Sequence, residues 1–219
     1  MSELPLQFNT DGLVPVVVQD YLTGEVRMVA YASLEAVQAT LRTGRATFYS
    51  RSRGELWEKG RTSGNVIAVK RILVDCDSDC VIYSADPRGP SCHTGAQSCF
   101  FQVLEEGDLT QKNEQPQTVI ASVEATLEAR KKSTAKASYT KSLYDGGAEL
   151  IGKKLREEAD ELARAIASET DERVVSEAVD VLYHLLVGLR SRGIGLRDAL
   201  AVLDARLGTS GHEEKARRG

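Results

Sequence analysis

The last hundred residues of this 219-residue chain contain no proline and no cysteine; all five prolines and all four cysteines lie before residue 117. Such an asymmetry marks two domains, which the length allows. No apolar run approaches the ~18 residues that a membrane-spanning helix requires, and the first nine residues hold Glu3 and Pro5 but no basic stretch leading into an apolar core. The expectation is a soluble, cytoplasmic protein. Positive charge is not in excess either: 28 Lys and Arg face 32 Asp and Glu, for a net charge of -4. That balance argues against a general binder of nucleic acid or membrane surfaces, so any anion site must be local. Hydrophobic residues make up 42% of the chain, enough to bury real cores and to exclude a disordered tail.

What is present changes character along the chain. Val14 to Gln19, Val26 to Ala30, Ala46 to Ser50 and Val66 to Val74 are β-branched or alternating runs that predict strands. Between them Ser33 can cap a helix over Leu34 to Arg42, with Gly44 as its stop. Residues 105–117 are polar and read as a linker. Beyond it the apolar period becomes 3.6, with one stripe of Ile151, Leu155, Ala159, Leu162 and Ile166 and another of Val174, Ala178, Val181, Leu182, Leu185 and Leu189. Helices at about 118 to 132 and 196 to 207 complete the pattern. The expected fold is an N-terminal α+β domain, mostly antiparallel β with a zinc site, over 1–104. An all-α helical-bundle domain follows over 118–219.

All four cysteines fall between residues 76 and 99, and in a cytoplasmic protein such a cluster points to zinc rather than disulfides. If Asp75-Cys76-Asp77-Ser78-Asp79-Cys80 is extended, its three carboxylates share one face and its thiols the other. Hard oxygen ligands suit Mg²⁺ and thiolates suit zinc, so one segment could serve two metals. An EF-hand loop is excluded, because Cys80 and Asp86 stand where Gly and Glu are required. A closed Cys₄ site including Cys80 competes with an open site of Cys76, Cys92 and Cys99, and only the open one leaves a position for water. His93 would stand beside that open site as a proton carrier.

Upstream, Arg45, Arg51, Arg53, Lys59, Arg61, Lys70 and Arg71 stand against only Glu55 and Glu58. The run Gly60-Arg61-Thr62-Ser63-Gly64-Asn65 offers the glycines, hydroxyls and backbone N–H groups that cradle phosphate. Four motifs now occur in order: Tyr49-Ser50-Arg51-Ser52-Arg53; Leu56 to Gly60 with Thr62 to Asn65; Asp75 to Asp79; and Ser91-Cys92-His93-Thr94-Gly95 with Ser98-Cys99-Phe100. Together, over about residues 10 to 104, they resemble phosphoribosyl-AMP cyclohydrolase of histidine biosynthesis. The resemblance implies zinc on Cys76, Cys92 and Cys99, Mg²⁺ on Asp75, Asp77 and Asp79, and a homodimer. Substrate phosphates and base would fall to Arg51, Arg53, Trp57, Lys59, Thr62, Ser63 and Asn65. Arg61 replaces an expected acidic residue, and Cys80 is an extra thiol.

In the helical part, Glu157, Glu158 and Glu161 lie within about 100° of arc, away from the apolar stripe. Glu177 and Asp180 share a face of the next helix, off its apolar side, with His184 between them in angle. Two antiparallel helices could gather five carboxylates around Mg²⁺ carrying a polyphosphate. His184 reads as a structural residue. With Ser138-Tyr139-Thr140, Lys153-Lys154 and Asp180 to His184, residues 119 to 218 resemble phosphoribosyl-ATP pyrophosphohydrolase. Arg156 stands where a small residue is commoner.

The two resemblances imply consecutive steps on small-molecule nucleotides: phosphoribosyl-ATP to phosphoribosyl-AMP and pyrophosphate, then opening of the adenine ring at N1–C6. Catalysis would rest on His93 in one domain and on Glu157, Glu158 and Glu161 in the other, with Lys153 and Lys154 at the phosphates. A non-enzymatic Cys₄ module on a helical dimerisation domain is the opposing class, and a housekeeping nucleotide pyrophosphatase a third. The polar tail from Gly208, with Lys215, Arg217 and Arg218, is expected to close over the pyrophosphohydrolase site.

Overall fold

The computed structural model describes residues 4–111, 117–132 and 138–207; the expected closing tail lies outside them. The chain divides into two compact units, Met1–Thr118 and Val119–Gly219. Among the described residues no helix is long and apolar enough to cross a membrane.

The first unit is built on a six-stranded sheet whose central strand is β1 (Leu13–Asp20). Val14, Val16 and Val18 alternate onto one face and are fully buried, each contributing roughly 1.5–3 kcal/mol. On one side β1 pairs antiparallel with β2 (Val26–Ser33), which leads to β3 (Thr47–Ser50) and β4 (Glu55–Glu58). On the other side it pairs parallel with β6 (Val81–Pro87), itself antiparallel to β5 (Ile67–Val74). An additional bridge joins Arg45 to Ala68, so the edge strand β5 also meets the chain just before β3 and the sheet curls.

Helix α1 (Leu34–Thr43) forms where the sequence places it. The Ser33 hydroxyl accepts the Ala36 N–H at 3.3 Å, and Gly44 ends the helix at φ 67°, a conformation that suits glycine. The core gathers Val14, Val16, Val18, Phe48, Ile67 and Tyr83, with Phe48 stacked on Tyr83 and packed at a tilt against Trp57. Tyr83 is completely buried; its hydroxyl contacts the Thr40 hydroxyl at 3.3 Å, and burial pushes its pKa up to about 12.

Two expectations need correction here. Residues 75–80 are not extended: they form the turn between β5 and β6, with Ser78 in the left-handed region at φ 66° and the Asp75 carboxylate accepting the Cys80 N–H at 3.1 Å. The stretch 105–117 is not wholly a linker. β7 (Gln102–Glu105) and β8 (Asp108–Gln111) form a hairpin across Glu106-Gly107, both at positive φ, which is the geometry of a tight two-residue hairpin turn. Gln117 then fastens the chain to β2, accepting the Val26 N–H and donating to the Val26 carbonyl, each at 2.9 Å.

The second unit consists, among its described residues, of α2 (Val119–Lys131), α3 (Tyr139–Asp145), α4 (Gly147–Ser168), α5 (Asp171–Ser191) and α6 (Leu196–Arg206). Ser138 and Thr170 cap α3 and α5 through their side chains. Leu127, Leu143, Ile151, Leu186 and Val187 form its core. The apolar stripes are only partly inside. Ile151 is buried, but Ala159 and Ile166 on α4 and Leu182 and Leu185 on α5 are exposed, whereas Glu177 and His184 are buried. In the single chain α5 therefore turns a mixed face, Glu177 and His184 with Leu186 and Val187, toward its neighbours and leaves part of its apolar stripe outside.

Candidate active sites

The cysteine loop follows β6. Cys92 is buried, and its thiol contacts the Thr94 hydroxyl at 3.1 Å and lies 3.8 Å from His93 Nδ1. Burial pushes the Cys92 thiol up, but hydrogen bonds from Thr94, from Cys99 and from the loop backbone outweigh it and hold the pKa below the ordinary value. The neighbouring Cys99 shows the converse. Desolvation, followed by the neighbouring Cys92, pushes its pKa up to about 11, against the pull of Lys59 and Arg27. The Cys92 and Cys99 side chains thus interact directly, and two thiols so placed are a soft donor set fit for zinc.

The third expected ligand is elsewhere in the chain. Cys76 is exposed on the β5–β6 turn, 4.0 Å from an Asp77 carboxylate oxygen, and the three thiols do not form a group with all ligand atoms within 4.8 Å. Cys80, on the same turn, is half-buried, and burial followed by the charge of Asp75 raises its pKa. Asp75, Asp77 and Asp79 do converge, all exposed and within 4.8 Å of one another. The Cys80 N–H holds the Asp75 carboxyl below its usual range, and the Asp77 charge pushes Asp79 up. Three oxygens so gathered are a hard donor set fit for Mg²⁺.

The basic segment is sorted by the fold. Arg45 pairs with Glu58 at 3.1 Å and Arg53 with Glu55 at 3.3 Å. Arg51 lies over the Tyr31 ring, 4.0 Å from its centroid, on the wall of a cavity of about 310 Å³ lined also by Val29, Ala30, Tyr49, Ser52 and Trp57. Tyr31 has no place in the sequence reading, and Tyr49 enters it only as part of a motif, without a role; a strand tyrosine is indistinguishable there from a packing residue. Thr62, Ser63 and Asn65 lie on the tight turn after β4, where a Cβ on Gly60 would stand 2.3 Å from the Asn65 carbonyl carbon, so only glycine fits.

In the helical unit, Glu158 on α4 meets Glu177 and Asp180 on α5, their ligand oxygens all within 4.8 Å. Glu177 is only 3% exposed and is paired with Arg173 one turn earlier on the same helix. Glu157 pairs with Lys154 at 3.1 Å and Glu161 with Arg164 at 3.9 Å; neither is in the group of three. His184 is buried behind it. Its Nδ1 lies 2.8 Å from the Asp180 carbonyl, which can only accept, so Nδ1 carries the proton and Nε2 accepts from the Tyr139 hydroxyl at 3.0 Å. Its Nδ1 is 3.9 Å from a Glu158 carboxylate oxygen. Lys153 lines a separate cavity of about 350 Å³ with Gly146, Glu149, Leu150 and Arg156.

The β-rich unit thus holds a thiol pair and a carboxylate turn, and the helical unit a partly buried carboxylate cluster, each a candidate metal-binding site. Residues 28–101 match the family model of phosphoribosyl-AMP cyclohydrolase, and residues 120–207 that of phosphoribosyl-ATP pyrophosphohydrolase. The chain is 43% identical over 198 residues to the histidine biosynthesis bifunctional protein HisIE of Thermus thermophilus, covering 90% of each chain. It is 41% identical over 210 residues to that of Deinococcus radiodurans, covering 94% of each, and 41% identical over 201 residues to that of Bacillus subtilis, covering 92% of this chain and 94% of the relative. The chain belongs to this family of bifunctional histidine-biosynthesis hydrolases, with a cyclohydrolase domain followed by a pyrophosphohydrolase domain.

Proposed function

We propose that the helical unit hydrolyses phosphoribosyl-ATP to phosphoribosyl-AMP and pyrophosphate, and that the first unit then opens the adenine ring at N1–C6. The observation that carries this reading is the separate cation-ready cluster in each matched unit. Glu158, Glu177 and Asp180, with Glu157 and Glu161 on the same helix, would hold Mg²⁺. That ion supplies charge neutralisation for the polyphosphate and a more acidic water. Lys153 and Lys154 bind phosphate oxygens, and Glu157, Glu158 or Glu161 takes the proton from the attacking water.

In the first unit, Cys92 and Cys99 would hold zinc with Cys76, and Asp75, Asp77 and Asp79 would hold Mg²⁺. Zinc supplies a nucleophilic water at neutral pH. His93 receives and returns the proton at the ring, Arg51, Arg53, Lys59, Thr62, Ser63 and Asn65 hold the phosphates, and Trp57 packs on the base. Because Cys76 does not join Cys92 and Cys99 within one chain, a second copy supplies it, and the protein works as a homodimer in the cytoplasm. The exposed apolar side chains Val175, Val179, Leu182 and Leu185 on α5 support a dimer, since such a face calls for a partner. The cyclohydrolase domain then takes in 1–104 together with the rest of the β7–β8 hairpin, and the pyrophosphohydrolase domain runs over 118–219.

The test is to supply phosphoribosyl-ATP with Mg²⁺ and, separately, phosphoribosyl-AMP. Wild type should release pyrophosphate and form the ring-opened product, and Glu158→Gln should lose the first reaction alone. Equal loss of both in a folded variant would overturn the assignment of two sites.

A further inference from the structure

Among the described residues Arg27, on β2, is the one buried lysine or arginine, 7% exposed. Its Nε donates to the Ser91 hydroxyl at 3.3 Å, and its Nη2 donates to the Gly89 carbonyl at 3.1 Å and the Gln97 amide oxygen at 2.8 Å. Its own backbone carbonyl accepts the Cys99 N–H at 2.9 Å. One residue therefore grips the cysteine loop just before Cys92, just before Cys99, and at Cys99 itself.

Residues 88–101 contain no helix or strand, and the backbone ties within them are the Ser91 N–H to Gln97, Cys92 N–H to Ala96 and Gly95 N–H to Cys92 bonds of 3.1 to 3.3 Å. Near Cys99 the Ser98 hydroxyl also donates to the Val26 carbonyl at 2.8 Å and accepts from the Gln117 amide at 2.9 Å, but on the Cys92 side it is the Arg27 side chain that ties the loop to the sheet. A guanidinium suits this task because its planar fork donates in several fixed directions, whereas an ammonium on a flexible stem cannot reproduce that set. The donors are desolvated, so the bonds are stronger than at the surface.

We propose that Arg27 is a positioning residue of the cyclohydrolase site, setting the separation and orientation of the Cys92 and Cys99 thiols. The proposal rests on the reading of that pair as zinc ligands. Groups that orient metal ligands without touching the metal are worth about 10- to 100-fold in affinity. Arg27 acts through the loop, and the pyrophosphohydrolase reaction does not depend on it.

The experiment uses the full chain with Cys76→Ala and Cys80→Ala as background, so that only two thiols remain. Reduced, metal-free protein is titrated with phenylarsine oxide, which bridges two thiols only when they lie side by side. Zinc retention against a chelator is measured in the otherwise native chain. Arg27→Met should slow arsenical capture and weaken zinc retention by about 10-fold or more, Arg27→Lys should fail to restore either, and pyrophosphate release should stay at the wild-type rate. Emission of Trp57, the protein's one tryptophan, which packs on Phe48, reports that the first unit is folded. Where it shifts to that of unfolded protein, Gln97→Ala and Ser91→Ala carry the test, with smaller losses of the same two quantities. Wild-type capture in folded Arg27→Met, or in both loop variants, overturns the proposal whatever happens to zinc. Slowed capture with unchanged zinc retention upholds the positioning and overturns instead the reading of the pair as zinc ligands.

Discussion

Replacing the buried Glu177 by glutamine should separate metal binding from folding in the helical unit. Its carboxylate sits with those of Glu158 and Asp180, ligand atoms within 4.8 Å. Each like-charge pair at that separation costs about 1 kcal/mol in a water-like dielectric and about 3 kcal/mol at the effective dielectric of a partly buried site. Removing one of the three charges removes two of the three repulsions, while the pairing with Arg173 is weakened. The two changes oppose each other, so metal-free Glu177→Gln should unfold within a few degrees of metal-free wild type. Mg²⁺ then distinguishes them. At a concentration about 100-fold above its dissociation constant, a ligand bound only by the folded state adds about 2.7 kcal/mol, which in a unit of about 100 residues raises the thermal midpoint by about 10 °C or more. Circular dichroism at the helical band, scanned with Mg²⁺ and with chelator, should show that rise in wild type and little of it in Glu177→Gln. The background is Asp77→Asn, so that the acidic turn does not contribute. An equal Mg²⁺-dependent rise in both proteins would refute the assignment of the cluster.

Zinc should be lost, with ring opening, from Cys92→Ala, Cys99→Ala and Cys76→Ala, whereas Cys80→Ala keeps both; metal content by elemental analysis checks this, and loss from Cys80→Ala would favour a closed four-cysteine site. Tyr83 has a folded pKa of about 12 against an ordinary 10, so the unfolded chain gives up this proton first. Its contribution is therefore full below pH 10 and is lost as the pH rises toward 12; alkaline unfolding followed by Trp57 emission should be shallower in Tyr83→Phe. Ser33→Ala removes the side-chain cap of α1 and should cost about 1 kcal/mol in urea unfolding of the first unit.

Much of this was legible in the chain. The α1 helix with both of its caps follows from Ser33 and Gly44, and β1 follows from its alternating valines. The strands β4 and β6 were not. Glu55–Glu58 is four residues long and half charged, and Val81–Pro87 is buried over most of its length, so it lacks the alternation that marks a half-exposed strand. The acidic triplet is visible in the sequence as a cluster, but a turn through Ser78, not strand alternation, gathers its carboxylates. In the helical unit a 3.6 period shows which residues share a face but not which face a neighbour covers, so the burial of Glu177 was beyond reach. Arg27 carries no local signal at all, since its partners lie 62 to 70 residues away.

Two separate sites acting in sequence on one nucleotide are tested most directly by a single time course. Protein with Mg²⁺ and zinc is given phosphoribosyl-ATP, and pyrophosphate and the ring-opened product are followed separately in wild type, Glu158→Gln and Cys92→Ala. The account predicts both products from wild type, neither from Glu158→Gln given phosphoribosyl-ATP but the ring-opened product alone once phosphoribosyl-AMP is supplied, and pyrophosphate with accumulating phosphoribosyl-AMP from Cys92→Ala. Ring-opened product from Cys92→Ala, or failure of Glu158→Gln to turn over supplied phosphoribosyl-AMP while folded, would contradict it.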